Sequence, residues 1–443
     1  MLQRRSSVST SAALSDLTDR PPGNRFTYTV LMRGTTLAGV LGLAAVLATA
    51  CGTANGTNAA PSAGAPIVFG AAVSLTGAQS KEGALTKQGY DLWLDWINQR
   101  GGIVAGNVKH PVQIKYEDDQ SKADLSATLV QKLITDEKAQ FILGPYGSAA
   151  TATDAVIAEK NGIPMVEANG AAQAIFNKGY KFTFGVLSPA NKYLTGVLDM
   201  AATLSPKPTR IAMLTANDNF SVEVARAVED YAASKGMQVV FSKQYPAAAP
   251  DVSGLVSQAK QANPDIVLNS GHLAEAIAIN KAAKQLDLNA KIFAYSVGPS
   301  TPDFISALGP DANFVYDGSQ WTPQVKYHPA FYLSVSDYVK AYQQKYGGSE
   351  PPDYHVAEST AACLAFQKAV ENAGSLDPAK IRDALASLDV MTFFGEIKFD
   401  SRGINVYKPM VVEQIQNGVH YTVYPADVAN GKPKYPTPAW GSR

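Results

Sequence analysis

The chain has 443 residues, 46% of them hydrophobic, which is enough to bury one large or two medium cores and too much for one ordinary domain. Lys plus Arg and Asp plus Glu each number 38, so the formal net charge is zero and no basic surplus exists to neutralise phosphates. That balance argues against a nucleic-acid partner.

The first element is the apolar segment from Thr35 to Ala50, rich in Leu, Ala, Val and Gly, preceded by Arg25 and Arg33 and closed by small residues before Cys51. This is the layout of an export signal, and its 16 residues fall short of the roughly 20 that span a bilayer. Residues 1–31 carry no periodicity, which makes Met32-Arg33 the better start of translation. Leu47-Ala48-Thr49-Ala50-Cys51 resembles the bacterial lipobox, with Ala where Leu is usual three residues before the cysteine. The resemblance implies cleavage before Cys51 and lipidation of its thiol. Residues 52–65 are Gly, Ala, Asn, Thr, Ser and Pro with no charge, a flexible tether able to reach about 50 Å. The other cysteine, Cys363, sits inside a helical pattern where a small buried hydrophobe suffices.

From Ile67 onward short β-rich runs alternate with longer amphipathic ones, the order that builds a parallel sheet. Strands are predicted at Ile67–Val73, Val112–Tyr116, Phe141–Leu143 and Ile163–Val166, with helices at Ala84–Asn98, Ala123–Glu137 and Ala149–Lys160 between them. In the first helix Leu85, Leu92, Trp93 and Trp96 recur at the spacing of a buried stripe, and Gly101-Gly102 stops it. The pattern restarts near Tyr193. It runs through strands Arg210–Leu214, Met237–Phe241, Asp265–Leu268 and Lys291–Ala294 with helices between, as if a second lobe had opened. Helices at Pro329–Tyr346, Val356–Ala373 and Pro378–Ser387 follow, then β-rich Glu396–Phe399 and Val411–Gln416.

Several stretches then resemble one family. They are Ser74-Leu75-Thr76-Gly77 with Gly83, Gly144-Pro145-Tyr146-Gly147-Ser148, Gly162-Ile163-Pro164, Asp251 to Leu255 leading to Asn263-Pro264-Asp265-Ile266-Val267, and the Gly271 turn before Glu275-Ala276. In this order the chain is similar, from Ile67 to about Gln416, to the type I periplasmic solute-binding proteins of branched-chain amino acid and amide importers. The resemblance implies an α/β fold of two Rossmann-like lobes with parallel-sheet cores, joined by a three-segment hinge. Residues 66–188 with 318–389 would form one lobe and 189–317 with 390–443 the other. The ligand would lie between facing strand ends, with closure read by ABC permease subunits. A monomer, exported and lipid-anchored, with no cofactor, is the expected form.

Ser148 follows a strand and opens a helix, so its hydroxyl and the first free amides, with Ala149, can bind an anion or a carbonyl oxygen; a plain cap is the alternative. The resemblance implies that Ser148 binds the ligand carboxylate and that Asn169-Gly170-Ala171 supplies further N–H donors. It also aligns Glu82 with the cleft mouth, Phe220 with a lid from the second lobe, and His272, Tyr295, Ser296 and Trp321 with the remaining lining. Glu82 also reads as a solvated charge, His272 as a structural turn histidine, Phe220 as helix-start packing and Trp321 as hinge core. Amino-acid members hold the ligand ammonium with an acidic residue where this chain has Val297, so the lining implies a ligand with a carboxylate or amide and no obligatory ammonium. Branched-chain amino acids are the runner-up.

An enzyme is disfavoured by the residues themselves. Gly70 is followed by no glycine until Gly77, Ser148 lies in Tyr146-Gly147-Ser148-Ala149-Ala150 rather than Gly-x-Ser-x-Gly, and no two of the five histidines sit four apart. A catalytic or metal site is therefore not expected. A receptor module of the same fold is the remaining rival, and it would need an apolar or effector segment after Gln416, where none is evident.

Overall fold

The computed structural model describes residues 62–443; Cys51, the apolar run before it and most of the tether lie outside the described residues. Two parallel sheets organise the rest. In the first, β1 (Ile67–Val73), β2 (Val112–Asp118), β3 (Phe141–Leu143), β4 (Met165–Glu167) and β5 (Thr183–Gly185) lie in the order β2-β1-β3-β4-β5. In the second, β6 (Arg210–Ala216), β7 (Gln238–Tyr245), β8 (Ile266–Ser270), β9 (Ile292–Tyr295) and β10 (Val315–Ser319) repeat that order as β7-β6-β8-β9-β10. Beyond β10 the antiparallel hairpin β11 (Val411–Gln416) and β12 (Val419–Tyr424) extends the sheet.

Side-chain alternation explains why each sheet carries helices on both faces. In β1, Phe69, Ala71 and Val73 enter one core while Ala72 enters the opposite one. In β6, Ile211 and Met213 face one core while Ala212, Leu214 and Ala216 face the other. The helices that matter for the cleft are α1 (Ser80–Gln99), α2 (Gly147-capped Ser148–Asn161), α3 (Gln173–Phe176), α4 (Asn219–Ala232), α5 (Leu273–Gln285), α6 (Pro302–Leu308), α7 (Val335–Tyr346) and α8 (Tyr354–Ala373). The first-lobe core centres on Phe69, whose ring lies 5.3 to 5.8 Å from Trp93, Phe141 and Phe366, so the tryptophan stripe of α1 is core.

Boundaries shift where capping decides them. The helix predicted from Pro329 begins at Val335 because the Ser334 hydroxyl accepts the Asp337 amide. The helix predicted from Val356 begins at Tyr354, since the Asp353 carboxylate takes the His355 amide. The hairpin Ile103–Ala105 with Val108–His110 carried too few residues to register as periodic, and strand β12 was not predicted. The lobe boundary also moves. Residues 390–399 were assigned to the second lobe, yet Val390, Phe393, Ile397 and Phe399 lie in the first core and Ile404 bridges Gly185, so the return comes near Val411.

The chain crosses between lobes three times, and one residue from each crossover meets the others. The Ser188 amide donates to Gln320 Oε1 at 3.0 Å, Gln320 Nε2 donates to the Ser188 carbonyl at 2.9 Å, and Ser188 Oγ donates to the Lys408 carbonyl at 2.8 Å. The fully buried Lys408 ammonium donates to the Gln320 carbonyl, and burial lowers its pKa to about 7.

Candidate ligand-binding cleft

Both sheets end, at their carboxyl edges, on the same gap between the lobes. At the first-lobe edge Gly147 holds φ at +83°, a left-handed conformation that turns the chain from β3 into α2 and, lacking a side chain, leaves the first-turn amides uncapped. Ser148 is buried; its Oγ accepts the Ala172 amide at 3.0 Å, which leaves the hydroxyl hydrogen free to donate into the cleft. The loop after β4 presses against α2, and a Cβ on Gly170 would fall 2.4 Å from Thr151 Oγ1. In that loop Asn169 donates from Nδ2 to Ser359 Oγ at 3.1 Å, while its Oδ1 is buried without a partner.

The second lobe answers with the starts of α4 and α5. Asp218 caps α4 by accepting the Ser221 amide at 2.9 Å and sets Phe220 in the first turn, 4.9 Å from the Tyr193 ring and 5.7 Å from the His272 ring. His272 precedes α5. Its Nδ1 lies 2.9 Å from the Tyr146 hydroxyl of the first lobe, and its Nε2 lies 3.7 Å from Asp218 Oδ2. Burial opposes the charged imidazole, but the nearby carboxylate of Asp218, with Glu275 and Glu82, outweighs it and raises His272 to about 9. Burial likewise works against the Asp218 carboxylate, yet His272 and Ser221 hold it below the ordinary range.

Other contacts span the gap. Glu82 accepts the Leu273 amide at 3.2 Å from across the cleft, and its burial raises its pKa against the opposing pull of His272. Glu223 of α4 accepts the Gln173 and Ala174 amides at 2.7 and 2.9 Å, capping a first-lobe helix from the second lobe. The lobes are closed on one another, and the cavity between them measures about 10 Å³, the room of a single water.

Of the residues expected at the site, Ser148, Asn169, Phe220 and His272 line this cavity together. Gly170 and Ala171 shape the loop behind Asn169, and the Ala171 carbonyl accepts the Ala190 amide at 2.9 Å. Ala149 is solvent-exposed and does not line the cavity. Glu82 is not a solvated charge but a buried interlobe contact. Tyr295 points into the second-lobe core and bonds Asn280, while Ser296 bonds the Gly271 backbone, so both support the cleft from beneath. Trp321 is held by the Phe393 carbonyl at 2.9 Å and borders a neighbouring pocket instead.

Sequence reasoning missed the contribution of α8, which sends Tyr354, His355 and Glu358 into the cavity from one helical face. Their places one, two and five residues after the Asp353 cap were the only available signal. Val297 lines the cavity from the second lobe, and the one carboxylate among the lining residues is Glu358, from the first. Burial pushes Glu358 well above the ordinary range, and its Oε2 has no partner.

Comparison with known proteins agrees with this architecture. The chain is 25% identical over 363 residues to Leu/Ile/Val-binding protein homolog 8 of Brucella abortus, covering 78% of this chain and 87% of that protein. It shares its fold with the branched-chain amino acid transporter substrate binding protein of Streptococcus pneumoniae in complex with isoleucine, at TM-score 0.72 and 20% identity, over 81% of this chain and 100% of that one. It shares it also with the ABC transporter solute binding protein of Rhodopseudomonas palustris in complex with 3,4-dihydroxybenzoic acid, at TM-score 0.67 and 18% identity, over 82% and 94%. All three are named as binding proteins and none as an enzyme. Residues 66–419 match the periplasmic binding protein family, and with two repeated α/β lobes closing on a shared cleft the chain belongs to that family.

Proposed function

We propose that this protein is the ligand-capturing subunit of an ABC importer, exported, lipid-anchored at Cys51 and monomeric, which closes on a small organic solute and presents it to the permease. The observation that carries the reading is a cavity lined from both lobes at the facing carboxyl ends of two like-ordered sheets, with three crossovers as the hinge. A cavity of about 10 Å³ admits no organic solute in the closed arrangement, so entry requires the lobes to part. The uncapped start of α2 and the Ser148 hydroxyl suit a carboxylate or amide oxygen, and Phe220, Tyr193 and Tyr354 supply an aromatic surround. An amino acid, an amide or an aromatic acid fits that chemistry, with Glu358 available to an ammonium where one is present. Among the described residues no helix is long and apolar enough to cross a membrane.

A thermal-shift and calorimetry panel of amino acids, their deaminated analogues, amides and benzoate-type acids tests the reading. A saturating ligand at about 100 times its dissociation constant adds roughly 2.7 kcal/mol of stability. If no member of the panel shifts the melting temperature or binds, the capture reading fails.

A further inference from the structure

A second cavity, of about 290 Å³, lies beside the cleft on the hinge side, separated from the first by Tyr354, which borders both. Its walls come from the second lobe at Ser300, Ile305 and Glu413, from the first at Asp353 and Tyr354, and from the crossover at Trp321. Pro302, Pro323 and Pro352 add apolar surface without backbone donors.

Glu350, Asp353 and Glu413 give this pocket an acidic lining, and Asp317 lies behind Glu413. Asp317 and Glu413 stand directly opposite in the antiparallel β10/β11 register, so both side chains leave the sheet on one face, a pairing that like charges disfavour. Burial, then the charges of Glu413 and Asp353, push Asp317 well above the ordinary carboxylate range, and burial raises Glu413. Asp353 uses Oδ1 for the amide and ring of His355, whereas its Oδ2 is buried without a partner, as are Ser300 Oγ, Asp317 Oδ2 and the Tyr354 hydroxyl. No Lys or Arg lines the pocket; His420, its one basic side chain, spends Nε2 on the Pro299 carbonyl, and its charge only partly offsets the effect of burial on Glu413. Among the described residues no three His, Cys, Asp or Glu are placed to hold a metal ion, so a metal cation does not fit the need.

We propose that this hinge-side pocket binds a small organic amine, its ammonium on Asp353 Oδ2, Ser300 Oγ and Glu413 and its apolar body against Trp321, Tyr354, Ile305 and the prolines. Unpartnered buried oxygens require N–H donors, and a primary ammonium offers three where a quaternary one offers none. The aromatic walls add attraction for the cation. Because the walls come from both lobes and the crossover, an amine here engages the closed arrangement and would strengthen it.

Calorimetry of the purified chain with phenethylamine tests the site, with its N,N,N-trimethyl analogue and phenylacetate as comparison probes. Binding of phenethylamine over both comparison probes is expected, with affinity falling about tenfold or more in Asp353→Asn and Glu413→Gln, the effect of losing a charged partner. Asp353→Asn keeps an oxygen to cap α8, and Ile305→Trp fills the pocket without touching its carboxylates, so one variant remains informative should another fail to fold. Ser148→Ala should leave phenethylamine binding unchanged, which separates this pocket from the cleft whether or not the proposed transport role is right. Equal binding of phenylacetate, retention of phenethylamine in both Glu413→Gln and Ile305→Trp, or its loss in Ser148→Ala would overturn the assignment.

Discussion

The Tyr146 hydroxyl of the first lobe and His272 Nδ1 of the second meet 2.9 Å apart, and the same imidazole faces Asp218 through its other nitrogen. One side chain therefore links lobe closure to charge. Its pKa rises from 6.5 to about 9 because Asp218, Glu275 and Glu82 outweigh the opposing effect of burial, worth about 3 kcal/mol as an upper figure.

A group whose folded pKa is raised stabilises fully below its unfolded value and loses that contribution as pH climbs through the folded one. The folded protein should therefore keep this contribution below pH about 6.5 and lose it progressively toward pH 9. Melting curves at pH 6, 8 and 10 check this. His272→Gln should flatten the difference between pH 6 and 10, and an unchanged profile in that variant would assign the titration to other groups.

Ser148→Ala should weaken the cleft ligand by roughly 10- to 100-fold, the range for a hydrogen bond to a charged group, and shrink the ligand-induced melting shift. The ligand-free melting temperature should fall modestly, because the buried Ala172 amide loses its acceptor, at a cost of about 1–3 kcal/mol. Unaltered affinity would reduce Ser148 to a structural role.

Glu358 offers a sharper discrimination. Since burial raises its pKa, its ionised form destabilises the protein increasingly as pH rises above the ordinary carboxylate value. Glu358→Gln should melt higher than the parent at pH 8, with the gap closing near pH 4. The same variant should lose about tenfold or more in affinity for an amino acid and little for its deaminated analogue. Equal losses for both would deny Glu358 a role toward an ammonium.

Lys408 ties the hinge with a buried ammonium whose pKa falls from 10.5 to about 7 through burial. Its penalty is complete below pH 7 and is relieved as pH rises toward 10.5, opposite in sign to His272. The stability difference between Lys408→Met and the parent, read from denaturant melts at pH 6 and 10, should favour the variant more at pH 6. A difference independent of pH would mean that the folded lysine keeps its ordinary pKa.

For Cys51, mass spectrometry of protein extracted from the native membrane should find a lipid-modified cysteine as the first residue. An N-terminus at Met1 or Met32 would refute the anchor.

The α/β class and the strand-helix alternation were readable in the sequence because Phe69, Ala71 and Val73 alternate with the residues between them, and Leu85, Leu92 and Trp93 repeat with a helical turn. Such periodicities are local, fixed by which side of a strand or helix faces the core. The turn chemistry of Gly147-Ser148 and Asn169-Gly170 was legible for the same reason: a left-handed φ and a close backbone approach select glycine without reference to distant partners. Glu358, Tyr354 and Asp353 were not legible, because α8 enters the cleft only after the chain has left the first lobe, built the second and returned. Likewise nothing local marks Ser188, Gln320 and Lys408 as one knot or Asp317 and Glu413 as facing carboxylates. The lining of a cleft depends on which ends of elements meet. That was decided by the order of strands in two sheets and by crossovers more than 80 residues apart, where burial alone turns ordinary serines, glutamates and lysines into partners.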